Sequence, residues 1–137
     1  MKTLSDYTQE AQTALFKKTG SFFAFSTSQF NEQKVEGTKY VNAHHGLIIP
    51  QANVKEVIDG LSAIAKDGMA KDMAKNGAAV IMRREYFNHE CQISMDNTPV
   101  KEALAGYIER YPSEFTEQAM DTAFSEAFLY ACENDLF

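Results

Sequence analysis

Residues 83–93 read RREYFNHECQI and gather two arginines, two carboxylates, one of the three histidines and one of the two cysteines between apolar residues. These residue types supply most of the acid–base, nucleophilic and metal-binding chemistry of proteins. The stretch is therefore the first candidate site, and its chemistry depends on the secondary structure around it.

The spacing around this stretch predicts a helix. Asn76-Gly77 is a turn signal, and residues 78–91 lack the alternation of a strand, although a strand over residues 79–82 is the competing interpretation. On a helix, Glu85 and His89 are at i and i+4 and share a face.

That shared face raises the hypothesis of a metal site, because a helix presents two ligands at this spacing. A third ligand would come from His44 or His45. Adjacent residues of a strand point to opposite faces, so only one of the two histidines joins, and His45 completes the predicted set. The chain has neither HExxH nor CxxC. The alternative is a plain surface hydrogen bond between Glu85 and His89, and no cofactor is predicted.

The other catalytic signatures are incomplete. Cys91 lies two residues from His89 and faces away from it on a helix. Cys91 and Cys132 are far apart in the sequence and are predicted to be free thiols in a reducing compartment. No GxSxG elbow, P-loop or GxGxxG is present. The sequence therefore favours a protein that is not an enzyme.

The net charge of −6 lies entirely near the C-terminal end. Residues 1–99 hold 11 basic and 11 acidic side chains, and no basic residue follows Arg110. This acidity disfavours direct nucleic-acid binding and attracts a basic protein surface. We expect Arg83 or Arg84 to pair with a carboxylate of this acidic segment.

A helix over about residues 114–133 carries this acidity. Its apolar stripe faces the core, and its opposite arc is polar apart from one leucine. Five residues of that arc are the predicted partner-binding residues: Glu117, Asp121, Glu126, Leu129 and Glu133.

Periodicity, capping residues, glycines and prolines predict the remaining elements. They are helices over residues 5–18, after Asn53 and from Thr98 onwards, and strands over residues 21–26 and 39–49. Ser5 is the predicted N-cap of the first helix, and Gly68 a predicted kink or end of the second. Asp72 lies in a lysine-rich stretch that is predicted to be solvated.

These elements predict one domain over residues 1–137, with an α+β fold that is mainly helical around a small two-stranded antiparallel sheet. The predicted core consists of Phe23, Phe25, Leu47, Ile49, Val57, Leu61, Ile64, Val80, Phe87, Leu104, Tyr107, Phe124 and Phe128.

Polar residues interrupt the first apolar residues, and no apolar run approaches the roughly 20 residues that span a bilayer. We therefore expect no membrane association and a cytoplasmic location. A homo-oligomer stays open as an alternative.

Several short segments resemble a family of small uncharacterised proteins from phages and bacterial mobile elements, which pair an FAFS…QF segment with an NHE segment. The segments are Phe23-Ala24-Phe25-Ser26, Gln29-Phe30, Gly46, Pro50, Asn88-His89-Glu90 and Asp96. The resemblance covers about residues 20–105. It implies an accessory gene that acts on host machinery, and it assigns no activity.

Charge and resemblance together predict a small, acidic, non-enzymatic accessory protein that binds a protein with a basic surface. Inhibition of a host nucleic-acid-binding or defence protein is one form of this function. The alternative is a metal-dependent enzyme or a metal-stabilised domain that uses His89 and Glu85 with His44 or His45.

Overall fold

The computed structural model describes all residues from Met1 to Phe137. Its elements are α1 (Leu4–Thr19), β1 (Phe22–Phe23), α2 (Thr27–Gln33), β2 (Tyr40–Asn42), β3 (Leu47–Pro50), α3 (Val54–Asn76), α4 (Ala78–Asn88), α5 (Cys91–Ser94), α6 (Thr98–Ala103), α7 (Ala105–Arg110) and α8 (Glu117–Glu133). The predicted α+β, mainly helical fold is confirmed, with three strands where two were predicted.

The residues group into two compact units, which we call unit 1 (Met1–Ala70) and unit 2 (Lys71–Phe137). Helix α3 begins in the first and ends in the second. A single domain over the whole chain stays a prediction. None of the helices combines the length and the apolar character that crossing a membrane requires.

Unit 1 contains an antiparallel sheet with the order β1-β3-β2. The predicted pairing of the two strand segments is confirmed, but residues 39–49 form two strands instead of one. The chain reverses between them in a 3-10 turn, where His45 and Gly46 have left-handed φ angles of 60° and 78°. Gly46 suits such a position, whereas nothing in the sequence marks His45 for it.

One face of this sheet forms an apolar core. Leu47, Ile49 and Val57 are buried together, and Phe16 and Leu61 pack against them. The predictions of Phe23 and Phe25 as core residues are wrong: their side chains are 47% and 74% exposed. Strand β1 is only two residues long, so the chain leaves the sheet before an alternating buried face is established.

Helices α1 and α3 approach each other closely at two glycines. A β-carbon on Gly68 would clash with Thr8 Cγ2, and one on Gly60 would lie 2.8 Å from a methyl of Leu15. Helix α3 does not end at Gly68, as one reading of the sequence proposed, but continues to Asn76. The glycine makes room for a neighbouring helix instead.

The helix ends follow the sequence to within a few residues. Helix α1 begins at Leu4, because the N–H of Thr3 donates to Asp6 Oδ2 at 2.8 Å, so Thr3 and not Ser5 is the N-cap. Gly20 ends the helix in the left-handed conformation, as predicted.

Unit 2 is helical, and α4 packs along α8. The rings of Tyr86 and Phe124 are stacked, with 5.6 Å between their centroids. The buried positions of α4 are Ile81, Met82, Glu85 and Tyr86. Val80, predicted to be buried, is 38% exposed because the buried face lies one residue further along the helix.

The helix predicted over residues 78–91 ends at Asn88. Glu90 has a left-handed φ of 52°, and the chain then begins the short helix α5 at Cys91. Helix α6 begins at Thr98, with Asn97 at the N-cap position, and the helix predicted from Thr98 onwards is divided at Leu104 into α6 and α7. Helix α8 begins at Glu117, where Thr116 Oγ1 accepts from the N–H of Ala119 at 3.1 Å.

Candidate functional site

The first candidate stretch contributes to a buried ionic network in unit 2. Asp72 is fully buried, which contradicts the prediction that it is solvated. Arg84 donates to both of its carboxylate oxygens, at 2.8 and 2.9 Å. Asn76 Nδ2 donates to Asp72 Oδ1 at 2.8 Å, and the hydroxyl of Tyr107 donates to Oδ2. All the members of this network lie in helices.

The network keeps Asp72 and Arg84 charged. Burial alone would raise the pKa of Asp72, but the hydrogen bonds from Arg84, Tyr107 and Asn76 hold it below its ordinary value. Burial alone would lower the pKa of Arg84, but its hydrogen bonds to Asp72 and Glu85 raise this pKa above its ordinary value. Burial, with the bond to Asp72, raises the pKa of Tyr107 and keeps it neutral. A carboxylate so enclosed holds helices together and does not reach a substrate.

Glu85 and His89 share a helix face, as predicted. Glu85 Oε2 lies 3.5 Å from His89 Nε2, and its Oε1 accepts from Arg84 Nε at 2.9 Å. No group of three His, Cys, Asp or Glu side chains is arranged to hold a metal ion. The pair therefore offers two possible metal ligands and no third one. The carboxylate of Glu85 is already bonded to Arg84.

The two arginines contact different partners from the one predicted. Arg84 pairs with the carboxylates of Asp72 and Glu85, both of which precede the acidic C-terminal segment. Arg83 does contact that segment, but through a ring: its guanidinium carbon lies 4.1 Å from the ring centroid of Tyr130. The tie to α8 is a cation–π contact instead of an ion pair.

Both cysteines are free, as predicted. Cys91 is completely buried, and this burial raises the pKa of its thiol. A buried thiol with a raised pKa is a poor nucleophile. Cys132 is exposed on α8.

The five predicted partner-binding residues are all exposed, but they do not form one site. Asp121 and Leu129 line the same groove, of about 450 Å³. Glu126 lines a second groove beside α4, and Glu117 Oε2 lies 3.4 Å from Lys101 Nζ. Glu133 lies in the wall of neither groove.

The groove that contains Asp121 and Leu129 is here called the α8 groove. It has an aromatic floor and exposed apolar rims. Its complete lining is Tyr86, Met95, Asn97, Asp121, Phe124, Ser125, Phe128 and Leu129. Met95 is 76% exposed and Leu129 is 60% exposed, whereas Tyr86 and Phe124 are buried beneath them. Asp121 is the one charged residue of the lining.

Met95 is the exposed apolar residue of this groove that the sequence analysis did not identify. It follows α5 with a left-handed φ of 57°, and its N–H donates to the carbonyl of Cys91 at 2.9 Å. Glycine is the usual residue in this conformation. Apart from its polar neighbours Ser94 and Asp96, the sequence gives no signal that this methionine is exposed.

The model of a family of unknown function, DUF7659, matches residues 4–133. The chain belongs to this family. No curated protein and no solved structure matches the chain.

Proposed function

We propose that this DUF7659 member is a non-enzymatic accessory protein that binds a protein partner through the α8 groove. The observation that carries the proposal is the exposure of Met95 and Leu129 above a buried aromatic floor, with the carboxylate of Asp121 in the same groove. The partner is a protein segment with a large apolar side chain next to a lysine or arginine.

The apolar surface supports an anchoring role. Isolated exposed leucines are common, but two exposed apolar side chains over one aromatic groove form a patch of the kind found at interaction sites. Methionine is frequent at such surfaces because its flexible thioether adapts to the partner. A partner side chain that fills the groove would be surrounded by apolar contacts, as binding hot spots are.

The charge supports a basic partner. Asp121 is the one charged group of the groove, and no basic residue follows Arg110 in the chain. Unit 2 has six basic and twelve acidic side chains. A lysine or arginine of the partner would be drawn towards this surface and would pair with Asp121. Inhibition of a host nucleic-acid-binding or defence protein, whose working surface is basic, is one form of this function.

The left-handed backbone of Met95 supports a role of this residue in binding and not in the stability of the fold. A left-handed conformation costs a non-glycine residue about 1–2 kcal/mol. The mostly exposed side chain of Met95 recovers little of this cost through packing within the folded chain. Strained residues of this kind are concentrated at functional sites.

Two charge reversals on α8 test the groove. Asp121→Lys and Glu126→Lys change the net charge equally, but only Asp121 lines the α8 groove. Each variant and the wild type is immobilised and exposed to a lysate of the source organism, and the captured proteins are quantified by mass spectrometry. We expect a specific partner to be lost with Asp121→Lys and with Leu129→Ser, and retained with Glu126→Lys. Capture that survives both groove substitutions would sink the proposal, and equal loss with Glu126→Lys would show attraction by net charge alone.

Met95→Gly separates binding from folding. Glycine relieves the left-handed strain, so the free energy of unfolding should rise by about 0.5–1 kcal/mol. Removal of the rim side chain should lower partner capture about tenfold or more. A more stable variant that binds less cannot be explained by misfolding, and unchanged capture by Met95→Gly would remove Met95 from the site.

A further inference from the structure

The two faces of the sheet in unit 1 are covered unequally. One face contributes Leu47 and Ile49 to the apolar core. Residues next to each other in a strand point to opposite faces, so Ile48 and its cross-strand neighbours Phe22 and Asn42 lie on the other face. The seven-residue helix α2 covers part of that face, where the ring of Phe30 lies 6.2 Å from that of Phe22.

Beside α2, this face is open as a cleft of about 580 Å³. Ile48 and Ala24 are buried at its floor, and aromatic side chains of Phe25, Phe30 and Tyr40 line it. A volume between about 300 and 1,000 Å³ with a mostly apolar lining and a few polar groups is typical of small-molecule sites.

Phe25 is exposed but held in place. Its ring stacks on that of Phe23 at 6.3 Å, with 8° between the two planes. A β-carbon on Gly46 would lie 2.6 Å from the ring, so the ring packs directly onto the backbone of this glycine. With 74% of its surface exposed, Phe25 still presents a positioned aromatic surface to the solvent.

The polar groups of the cleft are uncharged. Asn42 contributes a side-chain amide, and Ser26 and Thr27 contribute hydroxyls, while no charged residue lines the cleft. An amide both donates and accepts, which matches the edge of a ring that carries adjacent acceptor and donor groups. The absence of a basic group disfavours phosphates and carboxylates.

We propose that this cleft binds an uncharged, flat heteroaromatic ring of the class to which free nucleobases belong. The ring packs on Phe25, and its polar edge hydrogen-bonds to Asn42. The site lies in unit 1 and is independent of the α8 groove.

Adenine is the probe, and adenosine monophosphate, which carries the same ring on a ribose with a charged phosphate, is the comparison ligand. Isotope-labelled full-length protein is titrated with each, and amide shifts are followed by NMR. We expect adenine to shift the side-chain amide of Asn42 and the backbone amides around Phe25, and to bind about tenfold more weakly to Phe25→Ala and to Asn42→Ala. Both residues are exposed, so the fold should survive. Phe137→Ala, which removes an exposed ring of unit 2, is the matched control and should leave binding unchanged.

Four results would overturn the proposal. They are no shift with millimolar adenine, equal binding of adenosine monophosphate, undiminished binding by both cleft variants, and cleft resonances that move with protein concentration alone. The last of these would mean that a second copy of the chain covers the cleft.

Discussion

Unit 1 and unit 2 use charge in opposite ways. The ion pairs of unit 1 lie at the surface: in the pair formed by Lys55 and Asp59, 2.7 Å apart, the side chains are 88% and 64% exposed. In unit 2, the side chains of Arg84 and Asp72 are 7% and 0% exposed. Exposed pairs contribute little to stability, whereas breaking a buried pair leaves a charge without a partner. The chain thus concentrates its electrostatic vulnerability in one unit, and close apolar packing holds the other.

The largest expected effect is that of Asp72→Ala. Its loss leaves Arg84 and the hydroxyl of Tyr107 without their shared acceptor, and we expect the free energy of unfolding to fall by about 3–5 kcal/mol. Urea denaturation followed by circular dichroism measures the change. Asp59→Ala breaks the exposed pair of unit 1 and should leave the stability near that of the wild type. Similar losses from the two substitutions would contradict the comparison.

The dependence of stability on pH tests the same pair of Asp72 and Arg84. The pKa of Asp72 is lowered in the folded state, so the unfolded chain binds the proton more readily. The stabilisation is therefore fully present above the unfolded-state pKa, about 4, and is lost as the pH falls through the lower folded-state value. The stability of the wild type should fall more steeply below about pH 4 than that of Asp72→Asn.

The next largest effect is expected from Gly68→Ala, which disturbs the packing of α1 against α3 in unit 1. Alanine favours helices over glycine by about 1 kcal/mol, but a methyl group on Gly68 would meet Thr8 Cγ2. We expect Gly68→Ala to lower the free energy of unfolding by about 1–3 kcal/mol.

Thr8→Ser is the rescue, because it removes Cγ2 and keeps the hydroxyl that donates to the carbonyl of Leu4. The double variant should be more stable than Gly68→Ala alone, and a thermal melt of the four combinations gives the coupling. Simple additivity of the two changes would mean that the contact with Thr8 is not the cause.

The smallest expected effect concerns Arg83, whose charge contacts an aromatic ring of unit 2. Arg83→Ala removes the contact with the ring of Tyr130, and we expect a loss of about 0.5–1 kcal/mol. Tyr130→Leu should cost a similar amount, and the double variant little more than either one. If Arg83 were instead held by an acid, as the sequence predicted, Glu126→Gln would reproduce the loss and Tyr130→Leu would not.

The helices of this fold were predictable because periodicity and punctuation agree. Gly20, Gly77 and Thr98-Pro99 mark helix boundaries that the structure confirms. Asp72 was predicted wrongly because its local sequence, between Lys71 and Lys75, is that of a solvated face. Besides Asn76 in the same helix, its partners are Arg84 and Tyr107, which lie 12 and 35 residues away in other helices. No local pattern encodes these two contacts.

The candidate site was predictable in part. Helical periodicity correctly placed Asp121 and Leu129 on the exposed arc of α8, and the structure places both in one groove. The other rim depends on Met95, which reaches the groove through a left-handed turn after α5. Backbone conformations of this kind in a non-glycine residue leave no signal in the amino-acid sequence, so the rim formed by Met95 was not predicted.

The contrast between the two thiols gives the molecule a single natural labelling position. A maleimide dye reacts with accessible thiolates, so it should modify the exposed Cys132 and spare the buried Cys91. Cys132 lies one helical turn after Phe128, which lines the α8 groove. Fluorescence from the unaltered sequence can therefore test the proposed binding of a partner at α8 without an engineered cysteine.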